Sequence, residues 1–192
     1  MTIDPVFTRC LDTAERMFFQ FGYQRVTTEE IARAVGISKK TLYELFPKKS
    51  DIIVQSLLRN GRALTTFIGA CSFDARTFRQ EFMDLIQMIV RMNGTYSRLI
   101  MRDLEQSDPV LTARIQRQRR RFLTERLKTI LDRGIACGII RRTVNLDVAV
   151  VVIMLGIDDL LHPDARQVSD LPLPTVRVMC SVLLDGIIVH TL

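Results

Sequence analysis

The sequence predicts an all-α fold, in which an N-terminal three-helix helix-turn-helix domain precedes a larger helical domain, with about nine helices in total. Apolar residues recur at helical spacing in almost every segment, whereas the alternation typical of strands is nearly absent. Capping residues, glycines and prolines stand where such helices would begin or end. We place the domain boundary after residue 48, which gives the segments 1–48 and 49–192.

The first segment predicts one helix from about Asp4 to Phe21. This helix ends at Gly22, because glycine readily adopts the conformation that terminates a helix. Its apolar residues share one face: Phe7, Leu11, Ala14, Phe18 and Phe21. We expect Tyr23, just beyond the helix, to pack back onto the same small domain.

Two short helices with a tight turn between them follow in the segment from Thr27 to Lys49. The Thr27 hydroxyl suits a helix N-cap, and Glu30, three residues later, can complete a capping box. Gly36 supplies the positive φ that ends this helix and turns the chain. Ser38 caps the next helix, which Pro47 stops. These features agree with one another and predict a helix-turn-helix.

The rest of the chain predicts further helices, without a flexible linker after the helix-turn-helix. The fourth helix begins near Lys49 and runs towards Thr66. Pro109, a favoured first-turn residue, begins a long helix that continues to about Ala136, and Gly138 closes it. The other segments with helical periodicity are 76–92, 96–106, 147–161 and 175–189, and a Pro-rich loop separates the last two.

Composition favours a polyanionic partner and argues against a membrane span. The 192 residues carry a formal net charge of +6, with a sequence pI near 9.5, which suits nucleic acid but does not by itself require it. The longest uncharged apolar run, 148–157, is about half of the roughly 20 residues that a membrane span requires. No secretory signal is visible, so we expect a cytoplasmic protein.

Neither the cysteines nor the histidines form a recognisable site. The four cysteines lack metal-ligand spacing, and we expect them to be small buried hydrophobic side chains in the reduced state. They are Cys10, Cys71, Cys137 and Cys180. The two histidines lie far apart, with no nucleophile or acidic cluster beside them. No metal, cofactor or catalytic residue is therefore predicted.

A helix-turn-helix binds duplex DNA by placing its second helix in the major groove, where the N-terminal residues of that helix reach the base edges. Lys39 and Lys40 stand at this end, where the helix dipole also attracts phosphates. We expect Tyr43 to contact the DNA backbone and Glu44 to pair with a lysine, with recognition of a cytosine amino group as the alternative for Glu44. The predicted DNA contacts are Thr27, Thr28, Ser38, Lys39, Lys40, Thr41, Tyr43, Lys48 and Lys49.

The last two helices predict a homodimer interface. The stretch 148–155 is apolar nearly all round, and such a helix must be buried on more than one side. Gly156 and Gly186 permit close approach between helices. A symmetric dimer would also present two DNA-binding heads to two half-sites, which specific binding normally requires. An ordinary monomeric core is the alternative.

The segment from about Phe7 to Ile53 resembles the TetR family of bacterial one-component regulators. The resemblance is carried by Phe21-Gly22-Tyr23, Thr27, Ile31-Ala32, Gly36-Ile37-Ser38, Thr41-Leu42-Tyr43, Phe46 and Lys49. It implies that the rest of the chain is a helical ligand-binding and dimerisation domain, whose last two helices form a four-helix interface. It also implies that ligand binding moves the two heads through the fourth helix and releases operator DNA. Lys40 and Glu44 depart from the residue types common in the family, which leaves the operator sequence open.

The effector is expected to be an apolar or amphipathic small molecule of unknown identity. Methionine is frequent in adaptable apolar sites, although ordinary core packing is the alternative for every candidate. The arginine-rich run at 114–128 is expected to be a solvated helix surface, and an acidic effector becomes attractive only if some arginines point inward. The candidate effector-binding residues are Phe78, Phe82, Met88, Met92, Leu99, Met101 and Met154.

The leading hypothesis is a homodimeric transcriptional repressor that a small molecule releases from operator DNA. An enzyme is disfavoured, because the acidic pairs Asp158-Asp159 and Asp103-Glu105 would diverge on a helix instead of converging on a substrate or metal. The other alternative is an architectural DNA-binding protein without an effector, for which the large apolar body would be superfluous.

Overall fold

The computed structural model describes the backbone of residues 4–95, 98–159 and 174–189, and the side chains of residues 4–92, 100–157 and 178–189. These ranges contain nine helices and no strand beyond an isolated bridge, which confirms the predicted all-α class. The helices are α1 (Pro5–Phe21), α2 (Thr28–Val35), α3 (Lys39–Leu45), α4 (Lys49–Ala70), α5 (Phe78–Thr95), α6 (Arg98–Ser107), α7 (Pro109–Ala136), α8 (Leu146–Asp159) and α9 (Pro174–Ile187).

The helix ends predicted around the turn are confirmed. Thr27 caps α2, and Glu30 completes the capping box in both directions. Gly36 follows α2 in the left-handed conformation, with φ 79°, which glycine adopts without a steric penalty. Ser38 caps α3 by accepting a hydrogen bond from the backbone N–H of Thr41.

Several helix bounds in the body differ from the prediction by up to four residues. The fourth helix continues past Thr66 to Ala70. The fifth begins at Phe78 rather than Arg76, because Asp74 accepts hydrogen bonds from the backbone N–H groups of the preceding turn. The sixth begins at Arg98, and the end of α8 predicted at residue 161 lies outside the described residues.

The chain divides into two compact units, which are described separately. Unit 1 comprises Met1–Ala63 and Thr95–Ile115, and unit 2 comprises Leu64–Gly94 and Gln116–Leu192. Two of the divisions fall inside the continuous helices α4 and α7 rather than in a linker. The domain boundary after residue 48 stays a prediction. The division into compact units places the first part of α4 and all of α6 in unit 1.

Unit 1 has a core to which α1, α2, α3, the first part of α4, α6 and the first part of α7 contribute. Tyr23 packs into this core as predicted, with its ring edge-on to Phe18 at 5.2 Å between centroids. Arg59 of α4 donates to two carboxylates of α1, one of which also accepts from the buried Ser56 hydroxyl. Among the buried core residues are Cys10, Leu11, Phe18, Ile31, Leu42, Phe46, Ile52, Ile53, Ile100 and Leu104.

Unit 2 has a separate core built from parts of α4, α5, α7, α8 and α9. Phe78 is central, because its ring lies 6.0 Å from both the Phe73 and the Phe82 ring. The backbone N–H of Val189 donates to the carbonyl of Ile139 at 2.8 Å, which joins the end of α9 to the segment after α7.

The cysteine expectation is only partly confirmed. All four cysteines are free thiols, and Cys10 and Cys180 are buried. Cys71 is half-buried, whereas Cys137, just after α7, is exposed. Burial raises the pKa of the Cys180 thiol to about 11, so it behaves as a small apolar side chain.

We expect Gly134→Ala to destabilise the protein by about 1–3 kcal/mol, since overpacking a close-packed core carries this cost. A Cβ at Gly134 would lie 2.9 Å from two atoms of the buried Phe78 ring and 2.7 Å from the Cδ1 atom of Ile140. Gly69→Ala in α4 is the matched control, because nothing lies within 4 Å of its Cβ position and alanine favours a helix. Urea unfolding of both variants measures the difference, and equal stabilities would contradict the close approach.

Candidate nucleic-acid interface

The corner between α2 and α3 is fixed from inside by apolar packing and backbone hydrogen bonds. Ile31, Ala32 and Leu42 are buried in unit 1. The carbonyl of Ala32 accepts from the backbone N–H groups of both Gly36 and Ile37, at 3.0 Å each. This arrangement turns the chain within a few residues and leaves the polar side chains of α3 outside.

The N-termini of α2 and α3 are capped by the side chains of their N-cap residues. The Thr27 hydroxyl accepts from the Glu30 N–H at 3.2 Å, and the Glu30 carboxylate accepts from the Thr27 N–H at 2.8 Å. The hydrogen bond from the Thr27 backbone is the main reason why the pKa of Glu30 is lowered. At α3, the Ser38 hydroxyl accepts from the Thr41 N–H at 3.0 Å, and the two hydroxyls lie 2.8 Å apart.

Two outward side chains of α3 are held by the first turn of α2. The Tyr43 hydroxyl lies 3.1 Å from the hydroxyl of Thr28. The ammonium group of Lys39 donates to the carboxylate of Glu29. Lys39 and Tyr43 lie one turn apart on α3, and Thr28 and Glu29 are neighbours on α2. The two contacts therefore join one face of α3 to the first turn of α2.

The remaining charged residues of α3 form only a loose pair. The Lys40 ammonium lies 4.0 Å from the carboxylate of Glu44, one turn later on the same helix. Glu44 therefore pairs with a lysine, as expected from the sequence. The Lys40 side chain is 88% exposed, so it is more accessible than Lys39, which is 51% exposed.

Lys49 is directed into unit 1 instead of into solvent. Its ammonium donates to the carbonyl of Tyr23 and lies 4.2 Å from the centroid of the Tyr23 ring. Burial lowers the pKa of Lys49, against the opposing attraction of Asp103 and Glu30. Burial likewise raises the pKa of Tyr23 to about 12. By contrast, Lys48 is exposed, and its backbone N–H donates to Asp51 at 2.8 Å.

The turn that leads from α1 to α2 is bound to α6. The Gln24 backbone N–H donates to the carboxylate of Asp103 at 3.0 Å, and the Gln24 side-chain amide donates to that of Gln106 at 3.1 Å. Both partners lie in unit 1. These contacts hold the segment that immediately precedes the Thr27 cap.

The predicted DNA contacts thus fall into four groups. Thr28, Lys39 and Tyr43 are linked through α2, whereas Ser38 and Thr41 are linked to each other at the start of α3. Thr27, Lys40 and Lys48 are exposed, and the Lys49 ammonium is turned inward. Sequence reasoning missed Glu29, because an acidic residue in a first helical turn has an ordinary explanation in the helix dipole.

The candidate effector residues do not form one group. Phe78, Phe82 and Met154 are buried in the core of unit 2, and Met88 and Met92 lie half-buried at its margin. Met101 packs against the core of unit 1 instead. The side chain of Leu99 lies outside the described residues. An effector pocket at these residues stays a prediction.

The arginines of α7 face in two directions. Among those exposed to solvent are Arg114, Arg117, Arg120 and Arg121. Arg119 and Arg126 are half-buried, and the Arg126 guanidinium lies 5.3 Å from the centroid of the Phe122 ring. The expected solvated surface is therefore present, but two of the arginines turn towards the side of α7 that packs against the core.

α8 and α9 each expose a stripe of aliphatic side chains. On α8 the spacing is three, four and seven residues, which places the exposed residues on one helical face. A Cβ at Gly156 would collide with the Met179 side chain, so the two helices approach closely at this point. We call these two stripes the aliphatic surface. It comprises Val148, Val151, Val152 and Leu155 of α8, and Val178 and Val182 of α9.

The described part of the chain shows neither a cluster of metal-binding side chains nor a membrane-spanning helix. It contains no group of three His, Cys, Asp or Glu side chains that could hold a metal ion. Within the same ranges, no helix is both long and apolar enough to cross a membrane.

Residues 11–55, which include α2 and α3, match the model of the family described as bacterial regulatory proteins, tetR family. A transcriptional regulator from Saccharomonospora viridis in complex with choline has the same fold, with a TM-score of 0.70 over 96% of this chain and 98% of that chain at 20% identity. Over residues 11–55, the chain is therefore similar to the TetR family.

Other known proteins share the fold of this chain or are similar to a part of it. The SmeT–triclosan complex has a TM-score of 0.69 and 18% identity, over 97% of this chain and 93% of that one. The nucleoid occlusion factor SlmA of Haemophilus ducreyi is 47% identical over 49 residues, or 26% of this chain. That match spans only 24% of the length of SlmA.

Removing the α2 cap tests the local geometry of the helix-turn-helix. We expect Thr27→Ala to lower the free energy of unfolding by about 1 kcal/mol, the typical contribution of an N-cap hydroxyl. Thr27→Ser retains the hydroxyl and should retain most of the stability. Thermal unfolding followed by circular dichroism provides the comparison. Equal losses in the two variants would show that the hydroxyl does not stabilise the cap.

Proposed function

We propose that this chain is a homodimeric transcriptional repressor of the TetR family, which binds operator DNA through α2 and α3 and is released by a small-molecule effector. The observation that carries the proposal is the rigid corner between α2 and α3, whose outward side chains are polar and basic. A helix held in this way enters the major groove without reorganisation of its backbone. No catalytic role is proposed for any residue.

Each outward side chain has a distinct role in the proposed complex. Lys40 is accessible for a phosphate or a base edge, and Lys48 for a phosphate. The paired hydroxyls of Thr28 and Tyr43 are suited to donate to the oxygens of one phosphate. The Lys49 ammonium is turned inward to the carbonyl of Tyr23, so no phosphate contact is assigned to it.

The aliphatic surface is the proposed interface of the homodimer. Contiguous exposed aliphatic side chains are typical of protein–protein contacts, because water contact with them is unfavourable. Gly186 is exposed on α9, with nothing within 4 Å of its Cβ position, so it leaves room for a partner helix. A pair of chains joined here would form a four-helix interface and would offer two heads to an operator.

An amphipathic effector is the ligand class that fits unit 2 best. Among solved TetR-like structures, one is in complex with choline and another with triclosan. Unit 2 of this chain offers the half-buried methionines Met88 and Met92, whose side chains adapt to irregular apolar groups. The half-buried Arg126 beside Phe122 adds a cation that could bind an anionic group.

DNA binding is tested by fluorescence anisotropy with the upstream intergenic duplex of the gene and a scrambled duplex of equal length, at near-physiological salt. Operator binding predicts a Kd on the order of 10⁻⁸ M for the upstream duplex and at least about a thousand-fold weaker binding to the scrambled one. Two protomers per site are expected. Equal and steeply salt-dependent binding to both duplexes would favour an architectural protein instead.

Effector release is tested with the same labelled duplex. Amphipathic compounds, with and without a carboxylate, are titrated into the preformed complex, and anisotropy reports release. Release by a compound that also raises the melting temperature of the protein without DNA supports a binding site in the protein. Persistent binding of DNA across the whole set of compounds would favour a protein that has no such effector.

Tyr43 provides a test of the groove-facing surface. We expect Tyr43→Ala to weaken binding to the upstream duplex about ten-fold, since a backbone contact is lost. Its side chain is exposed, so the helical circular dichroism spectrum and the melting temperature should not change appreciably. Tyr43→Phe removes only the hydroxyl and its contact with Thr28. An unchanged Kd for Tyr43→Ala would contradict the assignment of α3 to the groove.

Val182 provides a test of the dimer interface. We expect Val182→Asp to convert the dimer into a monomer in sedimentation velocity, because a carboxylate would be desolvated in an apolar interface. Operator affinity should then fall at least ten-fold through loss of the second head. Val110→Asp is the control, since Val110 is 79% exposed in the first turn of α7, compared with 65% for Val182. A dimeric Val182→Asp protein would place the interface elsewhere.

A further inference from the structure

The two lysines at the start of α3 are adjacent in sequence but differ in their surroundings. Lys39 is bound to Glu29, a residue of another helix, by a hydrogen-bonded ion pair. Lys40 has only the loose contact with Glu44 at 4.0 Å. Both Lys39 and Glu29 remain accessible, with side-chain exposures of 51% and 60%. The pair therefore lies at the surface proposed to face DNA, where phosphates would compete for the same ammonium group.

The position of Glu29 is determined by more than its own ion pair. The neighbouring residue, Thr28, lies within hydrogen-bond distance of Tyr43, one turn beyond Lys39 on α3. Glu30 is occupied by the capping box and holds the first turn of α2 in place. Arg33 is the other cation close enough to lower the pKa of Glu29, and its effect is weaker than that of Lys39. The capped first turn of α2 thus holds the Glu29 carboxylate where it can accept a hydrogen bond from Lys39.

An intramolecular carboxylate changes what a lysine contributes to DNA binding. Sequence-independent affinity arises mainly from lysines and arginines that replace the counterions of phosphates. A lysine that already has a carboxylate partner must exchange that partner for a phosphate, so its net contribution is small. Lys40 carries no such penalty, because its contact with Glu44 is long and solvated.

We propose that Glu29 is a specificity-determining residue of the DNA-binding surface, which suppresses sequence-independent binding by occupying the ammonium group of Lys39. This inference rests on the proposed function, in which α3 lies in the major groove. The phosphates of any duplex would otherwise attract Lys39 equally, and operator and random DNA would gain the same affinity.

The pair is compatible with recognition of a base in the operator. A lysine ammonium has three N–H donors, and Glu29 occupies one of them. The other two can reach the O6 and N7 acceptors of a guanine while the ion pair persists. Glu29 then orients Lys39 towards a base edge and, by partly neutralising its charge, weakens its attraction to phosphates.

The test uses Glu29→Gln in the full-length protein, with anisotropy titrations on random and upstream duplexes at several salt concentrations. We expect affinity for the random duplex to rise about three- to five-fold, and its log–log salt slope to steepen by about 0.9, the value for one additional phosphate contact. Affinity for the upstream duplex should rise less, so that the ratio of specific to random affinity falls.

Two controls separate the ion pair from the simple loss of a negative charge. Glu105→Gln removes an equivalent exposed charge from α6 of unit 1 and should leave the salt slope unchanged. In a Lys39→Met background, Glu29→Gln should no longer change the slope. The proposal is overturned if Glu29→Gln leaves the random-duplex slope at the wild-type value, or if its effect persists without Lys39. Failure of the wild-type protein to distinguish the two duplexes would instead contradict the proposed function.

Discussion

The left-handed turn at Gly36 determines where α3 begins, and the geometry of the DNA-facing surface depends on that position. With φ at 79°, the Gly36 N–H donates to the carbonyls of Ala32 and Arg33, and the chain reaches the Ser38 cap two residues later. The buried Leu42 then fixes the rotation of α3 about its axis. A side chain with a Cβ at residue 36 would be strained, so the turn and the orientation of Lys39 and Tyr43 are coupled.

This geometry gives neighbouring cations different roles. Lys39 is bound to a carboxylate, Lys40 is accessible, and Lys49 completes the packing around Tyr23. Net charge alone would assign all three to phosphates. In the proposed complex, the arrangement would instead limit the charge that a single head offers to random DNA, because only cations without a close carboxylate replace counterions at no internal cost. Discrimination then depends on fit in the groove rather than on attraction to the polyanion.

Much of this geometry could be predicted from sequence, but only where the interacting residues are close in the chain. The Thr27–Glu30 capping box and the Gly36 turn follow from residues within four positions of one another, so local patterns identify them. The contact of Gln24 with Asp103 joins residues 79 positions apart. The contact of Lys39 with Glu29 likewise joins residues 10 positions apart. Apolar spacing also could not distinguish residues of the core from residues of an effector pocket, because Phe78 and Met88 fit the same helical periodicity but differ in burial.

The limited charge of one head makes the aliphatic surface essential to the proposed regulator. A single head with few accessible lysines would bind any duplex weakly. When two heads are linked, binding of the first to its half-site makes binding of the second intramolecular, which raises the overall affinity. Buried aliphatic area supplies the association energy without adding charge that would attract random DNA. In the proposed regulator, Glu29 would reduce binding to random DNA, and the valines of α8 and α9 would restore affinity only where two half-sites are correctly spaced.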